Sequence, residues 1–294
     1  MAPQSETVAI LGIGTMGHGM AKSALRGGIP TIVWNLTAAP TRDLADMGAE
    51  VAETAADAAA RAGIVITMVT DADAALSVAT EQGMLDALAP GAIWAQMSTI
   101  GVAGTERVVQ LVEARRTDVL LLDAPVSGSK EPAEQGQLII FASGPDNARA
   151  RVTPVFDALG QRTIWVGPLG AGSRLKLVNN TLLAFTAEGV GASIALAHRL
   201  GVETETVIDA LDGGPLVSSW ESAKLQRIAR GDFSPQFPLV LALKDVHLAL
   251  ESVDANRLES FASLAREWEH AVDQGLGDQD VTVVTRALQD PGGT

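Results

Sequence analysis

The pattern of apolar and polar positions changes about halfway along the chain. In the first half, short β-branched apolar runs alternate with alanine-rich stretches of helical composition. The predicted strands are Val8–Leu11, Thr31–Trp34, Ile64–Val69, Ile93–Met97, Val119–Leu122, Ile139–Ala142 and Ile164–Val166. Strands that alternate with helices form a mostly parallel sheet covered on both faces, so this half is predicted to be a doubly wound α/β domain.

From Ser173 onward the pattern predicts helices alone. A long helix is expected over Ser173–Leu200, and shorter ones over Glu205–Leu211, Ser219–Ala229, Pro238–Val253, Leu258–Gln274 and Asp278–Leu288. The glycine-rich stretch Gly167–Gly172 separates the two patterns. We therefore predict an α/β domain over residues 1–168 and an all-helical domain over residues 169–294.

Length and composition exclude several classes of function. The chain has 294 residues, 47% of them hydrophobic, which is enough to bury a sizeable core. Its 35 acidic and 21 basic residues give a formal net charge of −14, which repels phosphate backbones and anionic lipid. We therefore expect no nucleic-acid partner and no membrane partner. The chain has no cysteine and no tyrosine. Its four histidines are too few and too scattered along the sequence for a metal site, so none is predicted.

No targeting or membrane-spanning segment is expected. The N-terminal residues Met1–Thr7 are short and polar, without the basic region and long apolar run of a signal peptide. Apolar stretches such as Thr181–Leu196 are interrupted by Glu188 and fall short of the roughly 18 residues that a span needs. These features predict a cytoplasmic protein.

A G-I-G-T-M-G run over residues 12–17 follows the first predicted strand and opens a helix. Gly12 permits a tight turn, Gly14 lets the backbone approach a pyrophosphate, and Gly17 allows close packing of helix on strand. The pyrophosphate would lie on the N–H groups of the helix N-terminus, beside Thr15 and Met16. A glycine-rich turn without a ligand is the alternative, but the strand, helix and next strand favour dinucleotide binding.

The choice of dinucleotide is expected to depend on the end of the second strand, where an acidic residue would hold the ribose 2′-hydroxyl of NAD. The residues there are Asn35, Leu36 and Thr37, and none is acidic. Asn35 and Thr37 can donate hydrogen bonds to a 2′-phosphate, although the nearest arginine is Arg42. The sequence therefore favours NADP(H) and leaves NAD(H) possible.

A D-A-P-V-S-G-S run over residues 123–129 ends a strand predicted to be buried. Ligands of open parallel sheets bind beyond the carboxyl ends of the strands. Ser127 and the N–H groups of Gly128 and Ser129 could therefore hold a substrate carboxylate. An ordinary strand-to-turn junction is the alternative interpretation.

Lys176 and Asn180 are spaced i and i+4 near the start of the long helix, so they project from one face. Leu175, Leu177 and Val178 surround the lysine in sequence and favour its partial burial. Desolvation lowers the pKa of a lysine and makes the amine usable as a general acid or base near neutrality. An exposed helix lysine is the alternative, and it is the more common situation.

These motifs, in this order and with K-D-V-H-L-A over residues 244–249, resemble the β-hydroxyacid dehydrogenase family, of the 3-hydroxyisobutyrate dehydrogenase type, over nearly the whole chain. The resemblance implies a Rossmann-like domain, a helical domain, a homodimer or dimer of dimers built on the long helix, and NAD(P)-dependent hydride transfer with a small β-hydroxyacid or semialdehyde. It implies catalysis by Lys176 and substrate binding by Ser127, Gly128 and Asn180. Ser129 is added as a substrate-binding residue because of its backbone N–H group. The predicted cofactor contacts are Gly12, Gly14, Thr15, Met16, Gly17, Asn35, Leu36, Thr37, Val69, Thr70, Thr99 and Lys244.

Two positions depart from the family pattern. Leu36 stands where NADP-using members carry arginine in an Asn-Arg-Thr motif, and Ser129 stands where many hydroxyacid dehydrogenases have a second glycine. The related imine reductases share the fold but generally lack the lysine, so Lys176 favours carbonyl and alcohol chemistry. Imine reduction or reductive amination, and a non-catalytic dinucleotide-binding module, stay as alternatives.

Overall fold

The structure, a computed structural model, describes residues 6–37, 39–253 and 258–289. The chain divides into two compact units, residues 1–176 and 177–294. The division falls after Lys176, whereas the sequence pattern placed the boundary after residue 168. The difference arises because the first turn of the long helix bonds to the sheet of the first unit, where Ser173 donates to Asp123.

The described part of the first unit contains nine strands in one sheet. They are β1 (Val8–Leu11), β2 (Thr31–Trp34), β3 (Glu50–Val51), β4 (Ile64–Thr67), β5 (Ile93–Gln96), β6 (Leu120–Asp123), β7 (Val126–Ser127), β8 (Leu138–Ser143) and β9 (Gly160–Gly167). Their order is β3-β2-β1-β4-β5-β6-β8-β7, and β9 also pairs with β8. Strands β1 to β6 pair in parallel, β8 runs antiparallel to β6 and β7, and β9 is parallel to β8. The predicted doubly wound, mostly parallel sheet is confirmed.

Both faces of this sheet are buried. Successive side chains of a strand point to opposite faces, so neighbouring residues enter different cores. Val8 and Ile10 of β1 lie in one hydrophobic core, and Ala9 and Leu11 lie in the other. The helices that cover the sheet are α1 (Thr15–Arg26), α2 (Arg42–Asp46), α3 (Ala55–Ala60), α4 (Ala72–Thr80), α5 (Met84–Ala87), α6 (Gly101–Arg115), α7 (Lys130–Gln135) and α8 (Asp146–Leu159). Burial on both sides explains why the strand sequences lack polar alternation.

The second unit is helical in its described part. It contains most of α9 (Ala171–Arg199), followed by α10 (Thr204–Leu211), α11 (Ser219–Ala229), α12 (Leu239–Glu251), α13 (Glu259–Ala271) and α14 (Val284–Gln289). The helix predicted to begin at Asp278 is wrong at its start, since a short 3₁₀ turn over Val281–Val283 precedes α14. The cause is Asp280, which pairs with Pro238 in an isolated β-bridge and accepts the N–H of Thr282 as a side-chain cap.

Helix α9 is the one described helix that has the length and composition of a membrane span. The expectation that no stretch reaches that length is therefore wrong. About 39% of its most apolar window is buried inside the protein, and Ala187 and Ile194 belong to the buried core. Core helices of water-soluble proteins pass the same test of length and composition. The cytoplasmic location stays a prediction.

A buried ion pair joins two distant segments of the second unit. Lys224 of α11 donates from Nζ to both carboxylate oxygens of Asp280, at 2.8 and 3.0 Å, and to Gln236 at 3.1 Å. Burial lowers the pKa of Lys224, which the nearby Asp280 opposes. Burial acts to raise the pKa of Asp280, but the charge of Lys224 and the N–H groups of Gln236 and Phe237 bring it below its usual value. The pair therefore fixes the segment that leads into α12.

Removing one partner of this pair should strongly destabilise the protein. We expect Lys224→Met to lower the free energy of unfolding by about 3–5 kcal/mol, because it leaves the Asp280 carboxylate buried without its counter-charge. Urea unfolding followed by tryptophan fluorescence measures this change. Arg115→Met, which breaks the exposed pair with Asp86, is the matched control and should cost at most about 1 kcal/mol. Equal effects of the two variants would contradict this role for the pair.

Candidate active site

The glycine loop between β1 and α1 has the geometry that each glycine was predicted to provide. Gly12 has φ +97°, and a Cβ there would clash with the carbonyl oxygen of Met68. A Cβ at Gly17 would clash with the carbonyl oxygen of Gly12. At Gly14, by contrast, a Cβ would meet no described atom within 4 Å beyond its chain neighbours. The backbone at Gly14 is therefore open to a ligand, and the loop fits the pyrophosphate of a dinucleotide.

The loops that carry the predicted cofactor contacts follow neighbouring strands at one edge of the sheet. The loop after β1 begins at Gly12, Asn35 follows β2, and Val69 and Thr70 come after β4. Thr99 comes after β5. These strands stand side by side in the order β2-β1-β4-β5 and are parallel. The chain reverses its direction of progress across the sheet between β1 and β4, which is where open α/β sheets bind their ligands.

Asn35 braces the glycine loop from the end of β2. Its Oδ1 accepts a hydrogen bond from the N–H of Ile13 at 2.8 Å, and its Nδ2 donates to Thr37 at 3.0 Å (O) and 3.1 Å (Oγ1). Leu36 between them is 77% exposed. Asn35 thus has a structural use that the sequence did not reveal. Contacts of Asn35, Leu36 and Thr37 with the adenosine end of a cofactor stay predictions.

An ion-pair cluster beside this loop was missed in the sequence. His18 of α1 contacts both carboxylate oxygens of Asp43 at 2.9 Å, and Lys22 lies 3.5 Å from the same carboxylate. The bond with His18 lowers the pKa of Asp43. His18 had no partner pattern in the sequence, because Asp43 is remote from it along the chain. The cluster connects α1 to α2.

The predicted substrate loop lies farther along the same sheet, after β6. Ser127 ends β7 and is half-buried, Gly128 is exposed, and Ser129 precedes α7 as its N-cap without a side-chain cap bond. Gly128 has φ +135°, and a Cβ there would lie 2.7 Å from the side chain of Leu138. A glycine is therefore required at residue 128, and its N–H and that of Ser129 belong to a turn that could accept a carboxylate.

Lys176 is a buried lysine, with 8% of its surface exposed, so the interpretation as an exposed helix lysine is wrong. It lies in the first two turns of α9, three residues after Ser173, which bonds to Asp123 at the end of β6. Burial raises the pKa of Asp123, against the opposing hydrogen bonds from Ser173 and Ser143. A buried lysine is thus held near the carboxyl end of the sheet.

In the second unit, Asp245 contacts both Asn180 and Lys244. The resemblance assigned Asn180 to substrate binding and Lys244 to cofactor binding. Oδ2 of Asp245 accepts from Nδ2 of Asn180 at 2.5 Å, and its Oδ1 lies 2.9 Å from Nζ of Lys244. Asn179 donates to Oδ1 of Asn180 at 2.9 Å. Asp245 is 5% exposed and was not among the predicted site residues. The adjacency of Lys244 and Asp245 inside an apolar helix was the only sequence signal for it.

One cavity lined by described residues of the second unit contains none of the predicted site residues. Its volume is about 330 Å³, and Glu188, Ala192 and Trp268 line it. Burial raises the pKa of Glu188 to about 7, against a hydrogen bond from Trp268 at 2.7 Å and with a further increase from Glu267. In the described ranges no group of three or more potential metal-ligating side chains is found.

Two family models match the chain. The NAD-binding domain of 6-phosphogluconate dehydrogenase matches residues 7–167, and the NAD-binding domain of NADP-dependent 3-hydroxyisobutyrate dehydrogenase matches residues 170–288. Glyoxylate/succinic semialdehyde reductase 1 of Arabidopsis thaliana is 32% identical over 96% of this chain and 98% of its own. The chain belongs to the β-hydroxyacid dehydrogenase family.

Solved structures agree with this assignment. 3-Hydroxyisobutyrate dehydrogenase of Salmonella typhimurium superposes with a TM-score of 0.86 at 27% identity, over 95% of this chain and 99% of the other. An imine reductase of Myxococcus stipitatus in complex with NADP⁺ gives a TM-score of 0.66 at 22% identity, over 95% and 99%, and shares the fold. The predicted family and Rossmann-like fold are confirmed, and the chain is an NAD(P)-dependent oxidoreductase of the hydroxyacid dehydrogenase type.

Gly14 and Gly17 of the loop should respond differently to substitution. Gly14→Val should abolish dinucleotide binding while leaving the thermal midpoint of unfolding nearly unchanged, because its side chain would occupy open space that the pyrophosphate needs. Gly17→Val should lose both binding and stability, since its side chain clashes with Gly12. Fluorescence titration and thermal unfolding separate the two effects. Unchanged affinity in a folded Gly14→Val variant would move the cofactor site elsewhere.

Proposed function

We propose that the enzyme interconverts a small β-hydroxyacid or its carbonyl form, such as a semialdehyde, with Lys176 as general acid and base. The observation that carries this proposal is the burial of Lys176 in the first turns of α9, whose start is bonded to the end of β6. Burial of an amine beside the ligand-binding edge of a parallel sheet supports a role in proton transfer.

The residues divide the reaction between them. A bound nicotinamide supplies the hydride chemistry. During reduction Lys176 gives a proton to the carbonyl oxygen, and during oxidation it takes the proton of the alcohol. Ser127 and the N–H groups of Gly128 and Ser129 bind the substrate carboxylate, and the amide of Asn180 orients the substrate. The protein thus contributes binding, orientation and one proton.

The proposed substrate is a small aldehyde or ketone that carries a carboxylate. The plant relative is described as a glyoxylate and succinic semialdehyde reductase, and the bacterial structure as a 3-hydroxyisobutyrate dehydrogenase. A panel of glyoxylate, succinic semialdehyde, 3-hydroxyisobutyrate and cyclic imines, each assayed with both cofactors, tests the proposal. Turnover of cyclic imines alone would favour the imine reductases, with which this chain shares the fold. No turnover with any compound would favour a non-catalytic module.

We propose NADP(H) as the preferred cofactor, with NAD(H) still accepted. None of the residues Asn35, Leu36 and Thr37 carries a negative charge that would repel a 2′-phosphate. The amide of Asn35 is bonded to Ile13 and Thr37, so it offers less to the phosphate than the sequence alone suggested. The phosphate would then be held weakly, and the preference for NADP(H) would be modest.

We also propose a homodimer or a dimer of dimers built on α9. Five large apolar side chains of the α9 region are exposed to solvent in the single chain: Val178, Leu182, Phe185, Leu196 and Leu200. An exposed apolar strip of this extent marks an interaction surface. Sedimentation analysis tests this proposal, and a monomer at micromolar concentration would refute it.

Lys176→Met should lower kcat by at least about 100-fold while the dissociation constant of the cofactor changes little, as expected for loss of a general acid and base. Steady-state kinetics with the best substrate of the panel measures the first quantity, and fluorescence titration measures the second. Methionine keeps the length and apolar stem of lysine, so the unfolding midpoint serves as the folding control. Near-normal turnover would remove Lys176 from the mechanism.

Leu36→Arg should tighten NADP(H) selectively, with little effect on NAD(H). An arginine–phosphate pair is charge-assisted and can be bidentate, so a gain of about 1.5–3 kcal/mol is expected, or about 10- to 100-fold in Kd. Part of the gain should disappear at high salt, because Leu36 is exposed. Leu36→Met is the uncharged control. Equal tightening of both cofactors would show that residue 36 does not face the ribose.

A further inference from the structure

We infer that Asp123 is a positioning residue that holds Lys176 in place through the first turn of α9, an inference that rests on the proposed role of Lys176. Asp123 is the last residue of β6 and is 2% exposed. Its Oδ1 accepts from the hydroxyl of Ser173 at 2.6 Å, and its Oδ2 accepts from the N–H of Ser173 at 2.8 Å. A carboxylate in this position binds the start of the helix at two points and is stabilised by the helix dipole.

A second strand strengthens this attachment. The hydroxyl of Ser143, which ends β8, contacts both the carbonyl oxygen and Oδ2 of Asp123 at 3.1 Å and accepts from the N–H of Gly172 at 3.0 Å. A Cβ at Gly172 would clash with the carbonyl oxygen of Phe141. The first turn of α9 therefore lies directly on the ends of β6 and β8, and two consecutive N–H groups of the helix bond to the sheet side chains.

A third element of the first unit also reaches this turn. Oγ1 of Thr105 in α6 lies 2.9 Å from the hydroxyl oxygen of Ser173 and 2.8 Å from the carbonyl oxygen of Gly101. Ser173 is thus held by the sheet and by a covering helix at once. The hydrogen bonds of Ser173 with Asp123 and Thr105 together fix the position of this turn.

The attachment lies close to the proposed catalytic residue. Lys176 follows Ser173 by three residues, which corresponds to about 4.5 Å along the axis of a helix. A helix transmits a displacement of its first turn to the next one almost undiminished. A misplacement of about 1 Å can lower the rate of an enzyme about 100-fold. Asp123 also begins the segment that carries Ser127 and Gly128, so one side chain links the proposed substrate loop to the proposed catalytic helix.

A purely structural carboxylate would explain the same bonds, and kinetics distinguishes the two roles. We expect Asp123→Asn to lower kcat by about 10- to 100-fold while KM and the cofactor Kd change less than about 3-fold. The cap Thr54→Ala, which removes a hydrogen bond to the N–H of Asp57 at the start of α3, is the matched control and should leave kcat unchanged. A parallel loss of kcat in both variants would overturn the inference in favour of general destabilisation.

The double variant Asp123→Asn, Lys176→Met gives the sharpest test. If Asp123 acts through Lys176, its replacement should produce no further loss of kcat once the lysine is gone. Multiplicative losses would overturn the positioning role while leaving Lys176 catalytic. Normal turnover of Lys176→Met alone would instead contradict the proposed function. Hydrogen exchange over residues 171–176, expected to be faster in Asp123→Asn, tests the attachment without any assay of activity, and unchanged exchange would overturn it.

Discussion

The site depends on the direct contact of helix N-termini with the ends of sheet strands. A Cβ at Gly17 would clash with the carbonyl oxygen of Gly12, and one at Gly172 with that of Phe141. Backbones approach this closely only where no side chain intervenes. The two helix N-termini differ in what they face. The N-terminus of α1 faces open space at Gly14, whereas the N-terminus of α9 is bonded to the internal carboxylate of Asp123. One N-terminus is open to an external anion, and the other already has an internal one.

The parts of the fold that could be predicted are those whose sequences reflect burial or capping. Strands β1 and β2 have the predicted bounds, because strands buried on both faces leave an uninterrupted apolar run. Strands β3 and β7 were not predicted, since each has only two residues and both residues of β3 are exposed. The antiparallel placement of β8 could not be predicted either, because pairing direction depends on partners distant in sequence. Short segments carry too little periodicity to reveal an element.

The candidate site likewise contains some residues whose roles could be predicted from the sequence and others whose roles could not. The glycine positions could be predicted because their requirement is local: a positive φ at Gly12 and close packing at Gly17. The structural uses of Asn35 and Asp245 could not, because their partners are Ile13 and Asn180, which lie far away along the chain. A polar residue in a motif suggests chemistry, but its hydrogen-bond partners decide whether it meets a ligand or braces a residue that does.

A residue that transfers protons changes its charge in every turnover, and this restricts how the protein can hold it. A carboxylate bonded to the ammonium itself would stabilise the charged form and oppose release of the proton. A carboxylate bonded to the helix that carries the lysine has no such effect through that bond. The bonds of Asp123 to Ser173 are of this second kind, since they engage a hydroxyl and a backbone N–H three residues before Lys176. These bonds therefore locate the start of the helix that carries Lys176 through Ser173 and do not themselves engage the amine.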